Sequence, residues 1–435
     1  MLFVLLPIAI LMYMLSPSGY SYFFCLCSMA IFLTAASFLV KSDKQENIGF
    51  NFLFSFTFFC VNFIYPIFIY PIFPTFSLFG VGTDYNVISK STALATLAYT
   101  TYALGYFISL IECPIVEPIK QKCIIIEEKR TITVSFVNLI VLVSIIGIGG
   151  LGALASDYSS DGGGAGPIFS FLYSFFISFA VFSCVANRYI DNILLYFVIL
   201  LILLSFLFTG SRTLIIMMGS VLFCYFCEKF KMSKLKILLL ILAGFILMSI
   251  IGKLRLGIAV DSGTADVGVW SMAEDFIVVS RSLYDIYGYV QENSITYGLS
   301  VSSYLLSVFP FFQGIFVRAF GVEPYEMRSD TLATYWALGK DSALGLGSNI
   351  VGDIYLAFGF LGVVLLFFYL GFMVVKVRYY SLQGYWVAII VYQVLISGAI
   401  FMCRSSYFFS LKNIVWALAF CYLLRNVKFS NSSNV

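Results

Sequence analysis

Lys253-Leu-Arg-Leu-Gly257 opens, and Gly345-Leu-Gly-Ser348 closes, the one long interval of this chain that a bilayer could not absorb. Residues 253–349 hold ten of the 22 acidic residues, six of the 25 basic ones and no cysteine. On either side the chain runs in apolar stretches near the roughly 20 residues that a helix needs to cross a hydrocarbon core. It is 61% hydrophobic and 11% charged, with a mean hydropathy of +0.99. Such a chain reads as an all-α polytopic membrane protein, because a helix satisfies its own backbone hydrogen bonds in lipid. A membrane β-barrel would show short alternating segments instead. The net charge of +3 and the lack of a basic tail argue against a nucleic-acid partner.

About twelve transmembrane spans are expected, near 2–15, 20–40, 50–73, 92–111, 134–155, 167–186, 193–209, 212–227, 237–252, 349–375, 384–402 and 406–424. The first lacks a basic flank and a cleavage site, so it reads as a retained span rather than a signal peptide. Three regions follow: 1–252 with helices 1–9, 253–348 as a loop or cap with amphipathic helices, and 349–435 with helices 10–12 and a short tail. Lysine and arginine set the orientation. With the N-terminus inside, the inward segments carry fifteen, from Lys41 and Lys44 through Lys229, Lys231, Lys234 and Lys236 to Arg425 and Lys428. The short outward turns carry only Lys90, Arg212 and Arg404. Both termini are then cytoplasmic and the 253–348 cap faces outward.

Inside the cap, Trp270 to Val290 has near-helical apolar spacing, as in an amphipathic helix lying on the membrane or capping the bundle. Val301 to Val317 is more apolar, is interrupted by Pro310, and suits an interfacial or re-entrant element. The turn 156–166, with two aspartates and no basic residue beside its glycines, reads as a flexible loop rather than a phosphate cradle. Ten cysteines lie in or beside apolar runs and, with no histidine in the chain, read as small hydrophobes rather than metal ligands.

Chemistry is expected at the outward arginines. The cap carries Arg255, Arg281, Arg318 and Arg328, and the outward turns add Arg212 and Arg404. A guanidinium grips phosphate oxygens in a bidentate fork and stays charged at any working pH. Several gathered under a low-dielectric lid would hold a pyrophosphate and stabilise its departure. Each one alone also fits a headgroup contact or a local pair, as Arg281 with Asp285 at i,i+4. The absence of histidine rules out a Ser-His-Asp triad or a histidine base. A carboxylate such as Glu274, Asp275, Glu323 or Glu326 could assist a hydroxyl nucleophile. Aromatics including Tyr335 and Trp336 could line a sugar groove or form an interfacial belt. No metal site and no cofactor is called for, and the cap has no Asp-x-Asp pair for a metal-bound nucleotide donor.

The layout resembles the Wzy-type O-antigen and oligosaccharide repeat-unit polymerases: about twelve spans, a large outward loop before the last three, and scattered outward arginines. Thr209-Gly-Ser-Arg-Thr213, Arg328 separated from Gly339 by ten intervening residues, and Gly345-Leu-Gly-Ser348 leading to Tyr355-Leu-Ala-Phe-Gly-Phe-Leu-Gly362 are similar to local patterns of that family. The resemblance implies a GT-C-like glycosyltransferase at the periplasmic face of a bacterial inner membrane. It would transfer a growing glycan from undecaprenyl pyrophosphate to a lipid-linked repeat unit. It also implies membrane lipid, a chain-length regulator and a flippase as partners. Arg212, Arg255, Arg281 and Arg328 would hold the pyrophosphates, with Arg318 and Arg404 behind them. The competing expectations are a lipid-linked oligosaccharide flippase, for which no six-plus-six repeat is found, and an O-antigen ligase, whose outer-loop histidine is missing.

Overall fold

The computed structural model describes residues 1–42, 48–74, 85–113, 130–149, 166–190, 192–209, 212–232, short pieces of 236–244, 274–309, 311–340 and 345–426. The side chains of 85, 148–149, 166–171, 189, 208–209, 212, 274–278 and 426 lie outside that description. The described residues form helices and no strand. In chain order these are α1 (Leu2–Met14), α2 (Tyr22–Ser42), α3 (Phe50–Ile64), α4 (Ile88–Glu112), α5 (Thr131–Gly149), α6 (Gly166–Ile190), α7 (Ile193–Thr209) and α8 (Arg212–Lys229). The cap contributes α9 (Glu274–Asn293), α10 (Ser302–Leu306), α11 (Phe312–Phe320) and α12 (Ser329–Leu338). The chain closes with α13 (Ile350–Leu382), α14 (Trp386–Arg404) and α15 (Leu411–Asn426).

Among the described residues, five helical stretches are long and apolar enough to cross a membrane: α2, α3 with its continuation to Ile69, α4, α13 and α14. Stretches in α1, α5, α6 and α7 are apolar but shorter as described. The expected span 237–252 and the loop 156–165 fall largely or wholly outside the described residues. Pro66 has no N–H to donate, and α3 runs on as a π turn, Tyr65–Ile69, closed by Tyr70 N–H to the Tyr65 carbonyl at 2.9 Å.

The chain divides into two compact units. The first takes 1–115, 226–379 and 398–410. Its centre is α4, whose residues are buried almost throughout. Thr92, Thr96 and Thr100 each donate to the carbonyl four residues back at 2.8–2.9 Å, so their hydroxyls need no water. Aromatic rings of α2, α3 and α4 interlock around it: Phe32 with Tyr99 at 4.4 Å and Phe54 with Tyr102 at 4.9 Å. The backbones of α4 and α13 touch. A Cβ on Gly105 would stand 2.0 Å from the Phe368 carbonyl oxygen, and one on Gly371 would stand 2.1 Å from that of Tyr102. Small residues permit this approach where apolar area alone drives no association in lipid.

The cap belongs to this unit. α9 packs against α3 and α12 and is buried along most of Val279 to Tyr287, so it caps the bundle rather than lying on a membrane surface. Ser280 Oγ–H donates to the Val61 carbonyl of α3, and Ser282 Oγ–H to that of Gly347 at 3.0 Å. Arg281 and Asp285 form a buried ion pair on this helix, Nε to Oδ2 at 3.3 Å. Burial pushes the Asp285 carboxyl up to about 6 against the opposing pull of Arg281. The Val301–Val317 stretch is two short helices, α10 and α11, separated by Phe311 at φ +65.

α13 is longer than the expected 349–375 span and is broken at Gly359, where φ is +67 and ψ −161. The break frees carbonyls in the turn before it. Thr296 N–H and Gly298 N–H from the cap donate to the Leu356 and Ala357 carbonyls at 2.8 and 2.9 Å. A break in an apolar helix is tolerated when neighbouring protein supplies the missing partners.

The second unit takes 116–225, 380–397 and 411–435. Here α5, α6 and α7 pack together and α15 packs on α6 through Phe175, Phe179 and Phe420. Polar pairs pin the helices: Asn138 to Ser183 at 2.8 Å, Ser178 to Asn413 at 2.7 Å, and Arg188 to Gln393 at 2.7 Å.

Replacing Gly105 or Gly371 by alanine forces α4 and α13 apart and is expected to cost about 1–3 kcal/mol or more. Gly219→Ala, whose added Cβ meets nothing within 4 Å among the described residues, serves as the control that costs no stability, and melting temperatures in detergent measure all three. Asp285 predicts a pH effect. Its folded pKa lies above the unfolded value, so the stability that it contributes is complete below about 4 and is lost as pH rises to about 6. Wild type should therefore lose thermal stability relative to Asp285→Asn across that window, with a constant difference above it.

Candidate active site

Asp353 sits in the first turn of α13, where a helix N-terminus favours negative charge. Asn349 precedes it and caps the helix, its Oδ1 accepting from Val351 N–H at 2.9 Å while its Nδ2 donates to Asn62 of α3 at 2.9 Å. Asp353 is fully buried. Its Oδ1 accepts from Ser329 Oγ at 2.6 Å, and its Oδ2 accepts from Ser406 Oγ at 2.8 Å and Tyr407 N–H at 3.1 Å. One carboxylate thus joins the start of α12 to the turn that follows α14. That turn displaces the final helix, which begins at Leu411 rather than at the expected 406, because Ser406 and Tyr407 are held by Asp353 instead of by helix geometry.

The residue before Ser329 is Arg328, and two residues before Ser406 is Arg404. Arg328 is extended, at φ −136 and ψ 132, and leads into α12. Its Nε and NH2 meet the two Asp330 oxygens at 2.9 and 2.5 Å in a bidentate fork. The side chain is 44% exposed, and two of its five N–H groups serve Asp330, so donors are left for an incoming anion. The Asp330 charge raises the Arg328 pKa further, against the opposing effect of burial; the group is cationic at every accessible pH. Its guanidinium lies 5.8 Å from the Tyr304 ring centre, and the Tyr304 hydroxyl shares a hydrogen bond of 3.1 Å with Ser405. Arg404, half-buried, ends α14 with its guanidinium 5.6 Å from the Phe401 ring centre.

The other expected residues are placed differently. Arg281 is inside the cap, 2% exposed and paired with Asp285, so in this conformation it supports α9 rather than facing an opening. Arg318 is exposed in the last turn of α11. Arg212 opens α8 and Glu274 opens α9, but their side chains lie outside the described residues, as does all of Arg255. Glu323 precedes the 3-10 turn Pro324–Met327, and Glu326 lies in it. Tyr335 and Trp336, near the end of α12, are exposed. Tyr335 stacks on Tyr325 at 4.3 Å, and Trp336 meets Tyr289 edge-on at 5.3 Å. Among the described residues no group of three or more cysteines, aspartates or glutamates is placed to hold a metal ion.

Asp353, Ser329 and Ser406 were absent from the sequence-based expectation. Asp353 had a signal, since it is the one charged residue in the apolar run 349–375, and an ionisable side chain in such a run marks a functional or buried polar site. The two serines had none, because a hydroxyl's partner is set by the fold. The arrangement offers an exposed, permanently charged fork beside Ser329, while the same carboxylate holds the turn that follows Arg404. It can bind an anion and stabilise one that leaves.

The family of O-antigen polysaccharide polymerases, Wzy, matches the chain over residues 1–429. No curated protein and no solved structure matches it. The match spans almost the whole chain and agrees with its apolar helices, and it assigns this protein, a multi-pass membrane chain, to the O-antigen polysaccharide polymerase Wzy family.

Proposed function

We propose that this protein joins undecaprenyl-pyrophosphate-linked oligosaccharide units at the periplasmic face of the inner membrane, by a metal-independent, GT-C-like glycosyl transfer. Membership of the Wzy family supports repeat-unit polymerisation. The observation that carries the mechanism is the Arg328 fork beside Asp353. A hydroxyl at the non-reducing end of the acceptor attacks the anomeric carbon of the donor glycan. The bond from that carbon to the diphosphate oxygen breaks, its electron pair leaves with undecaprenyl pyrophosphate, and the hydroxyl proton passes to a carboxylate or water. Besides Asp330, which Arg328 already holds, Glu326 and Glu323 are the cap carboxylates nearest in sequence to Arg328.

Charge on the leaving diphosphate grows as the bond breaks, so fixed cations there lower the barrier more than they tighten ground-state binding. Arg328 and Arg404 take this role, with Arg318 as an outer contact. Arg212 and Arg255 enter on the family resemblance, and Arg281 acts by holding α9 in place. Asp353 is a positioning residue: it touches no substrate and sets where the two arginines stand. The proposed orientation has both termini cytoplasmic, with a flippase supplying substrate and a chain-length regulator acting on the product.

Deletion of the gene, with surface polysaccharide resolved on a gel, tests the reaction. A polymerase mutant leaves core plus a single repeat unit, whereas loss of a flippase or a ligase leaves none. Arg328→Ala is expected to cut polymerisation of purified lipid-linked units about 100-fold, with Arg328→Lys restoring part of it. Arg212→Ala should also lose long chains while the protein still inserts. Asp353→Asn places an amide group where three donors converge, leaving at least one unmatched at about 1–3 kcal/mol. Chain length should fall in that variant while the protein still inserts. Unchanged chain lengths in all of these variants would remove the diphosphate-binding role.

A further inference from the structure

Two exposed surfaces of the cap differ in chemistry. Along α11 and just before it, Phe309, Phe311, Phe312, Ile315 and Phe320 are each 51–69% exposed. Arg318 is the charged residue of that helix and no acid accompanies it, the composition of a helix that rests in a lipid interface. The second surface lies on α12 and the 3-10 turn before it. Trp336 and Tyr335 are 41% and 37% exposed. Tyr325 lies flat against Tyr335, 15° between planes, and Tyr289 meets Trp336 at 87°. These pairings fix the rings in place before any ligand arrives. Carboxylates stand among them: Glu323 is exposed and Glu326 half-buried. Glu326 directly follows Tyr325 in the chain, and desolvation first, then the Glu326 charge, raise the Tyr289 and Tyr325 hydroxyls above their ordinary value.

Acids among exposed aromatics repel anionic headgroups and phosphate. They suit a polyhydroxylated ligand, whose C–H faces lie against rings while its hydroxyls donate to carboxylates. We propose that Tyr289, Tyr325, Tyr335 and Trp336, with Glu323 and Glu326, form a subsite for the glycan portion of the lipid-linked substrate. Tyr335 stands seven residues along from Arg328, about 10 Å at 1.5 Å per residue. The subsite therefore grips sugar set back from the diphosphate. The assignment rests on the polymerase reading above.

The test uses the full chain in lipid nanodiscs. The probe is the free oligosaccharide released from its own surface polysaccharide, without lipid or phosphate, followed by saturation-transfer NMR and calorimetry. Wild type should bind it. Tyr335→Ala and Trp336→Ala should each weaken binding about tenfold, equivalent to about 1.4 kcal/mol, with Trp336→Phe close to wild type. Glu326→Gln keeps the packing and should also weaken binding, which guards against an alanine variant that fails to fold. Equal affinity in wild type, Glu326→Gln and the double alanine variant would overturn the subsite. So would quenching of tryptophan fluorescence by bromine-tailed lipids that disappears in Trp336→Phe, which would assign this face to the bilayer. The two proposals fail separately. Glycan binding through these residues without polymerisation of lipid-linked units refutes the polymerase reading alone. Normal chain lengths in the double alanine variant refute the subsite alone.

Discussion

The carboxylate of Asp353 accepts three hydrogen bonds from two segments far apart in the chain, and what it joins determines where the functional charge stands. A buried ion of this kind is costly unless each lone pair finds a donor. Here the N-terminal turn of α13 and two serine hydroxyls with one backbone N–H meet that requirement. Because every partner is specified, the start of α12 and the turn after α14 cannot drift independently. Arg328 and Arg404 inherit their positions from this contact, and neither needs a direct bond to the other.

The break at Gly359 is the second constraint. An uninterrupted α13 would have no acceptors to offer the cap, whereas the broken one presents the Leu356 and Ala357 carbonyls to Thr296 and Gly298. The cap is thereby hydrogen-bonded into a membrane helix through its backbone, independent of side-chain identity. Ile286, Leu332, Ala333 and Leu356 then close a small apolar core between α9, α12 and α13. The loop donors and that core together explain how a segment rich in acids can be held rigidly against apolar helices.

Arginines that look alike in the sequence have different surroundings. Arg281 has an acid four residues on and is buried with it; Arg328 has an acid two residues on and is exposed. The i,i+4 spacing keeps Arg281 along its own helix, and the packing of α9 on α3 removes it from solvent. Arg328 precedes a helix in extended conformation, and its fork meets Asp330 in the first turn of that helix. Asp330 neutralises part of its charge and also fixes the plane of the guanidinium, which favours bidentate recognition over simple attraction.

By itself, the sequence determined the class of the protein: long apolar runs in lipid have helices as their available solution. It also determined the chemistry on offer, since a chain with no histidine has its permanent cations in arginine and lysine, and Arg212, Arg328 and Arg404 stand at helix ends. Periodicity located α9 and the helices that flank the cap, because burial patterns repeat along a single element. Only the tertiary structure decided that α13 breaks at Gly359, that the last helix starts at Leu411, and that Asp353 is the hub for Ser329 and Ser406. Those outcomes depend on hydrogen bonds between residues tens of positions apart, and a donor's partner is a property of three-dimensional neighbours, which local spacing does not encode.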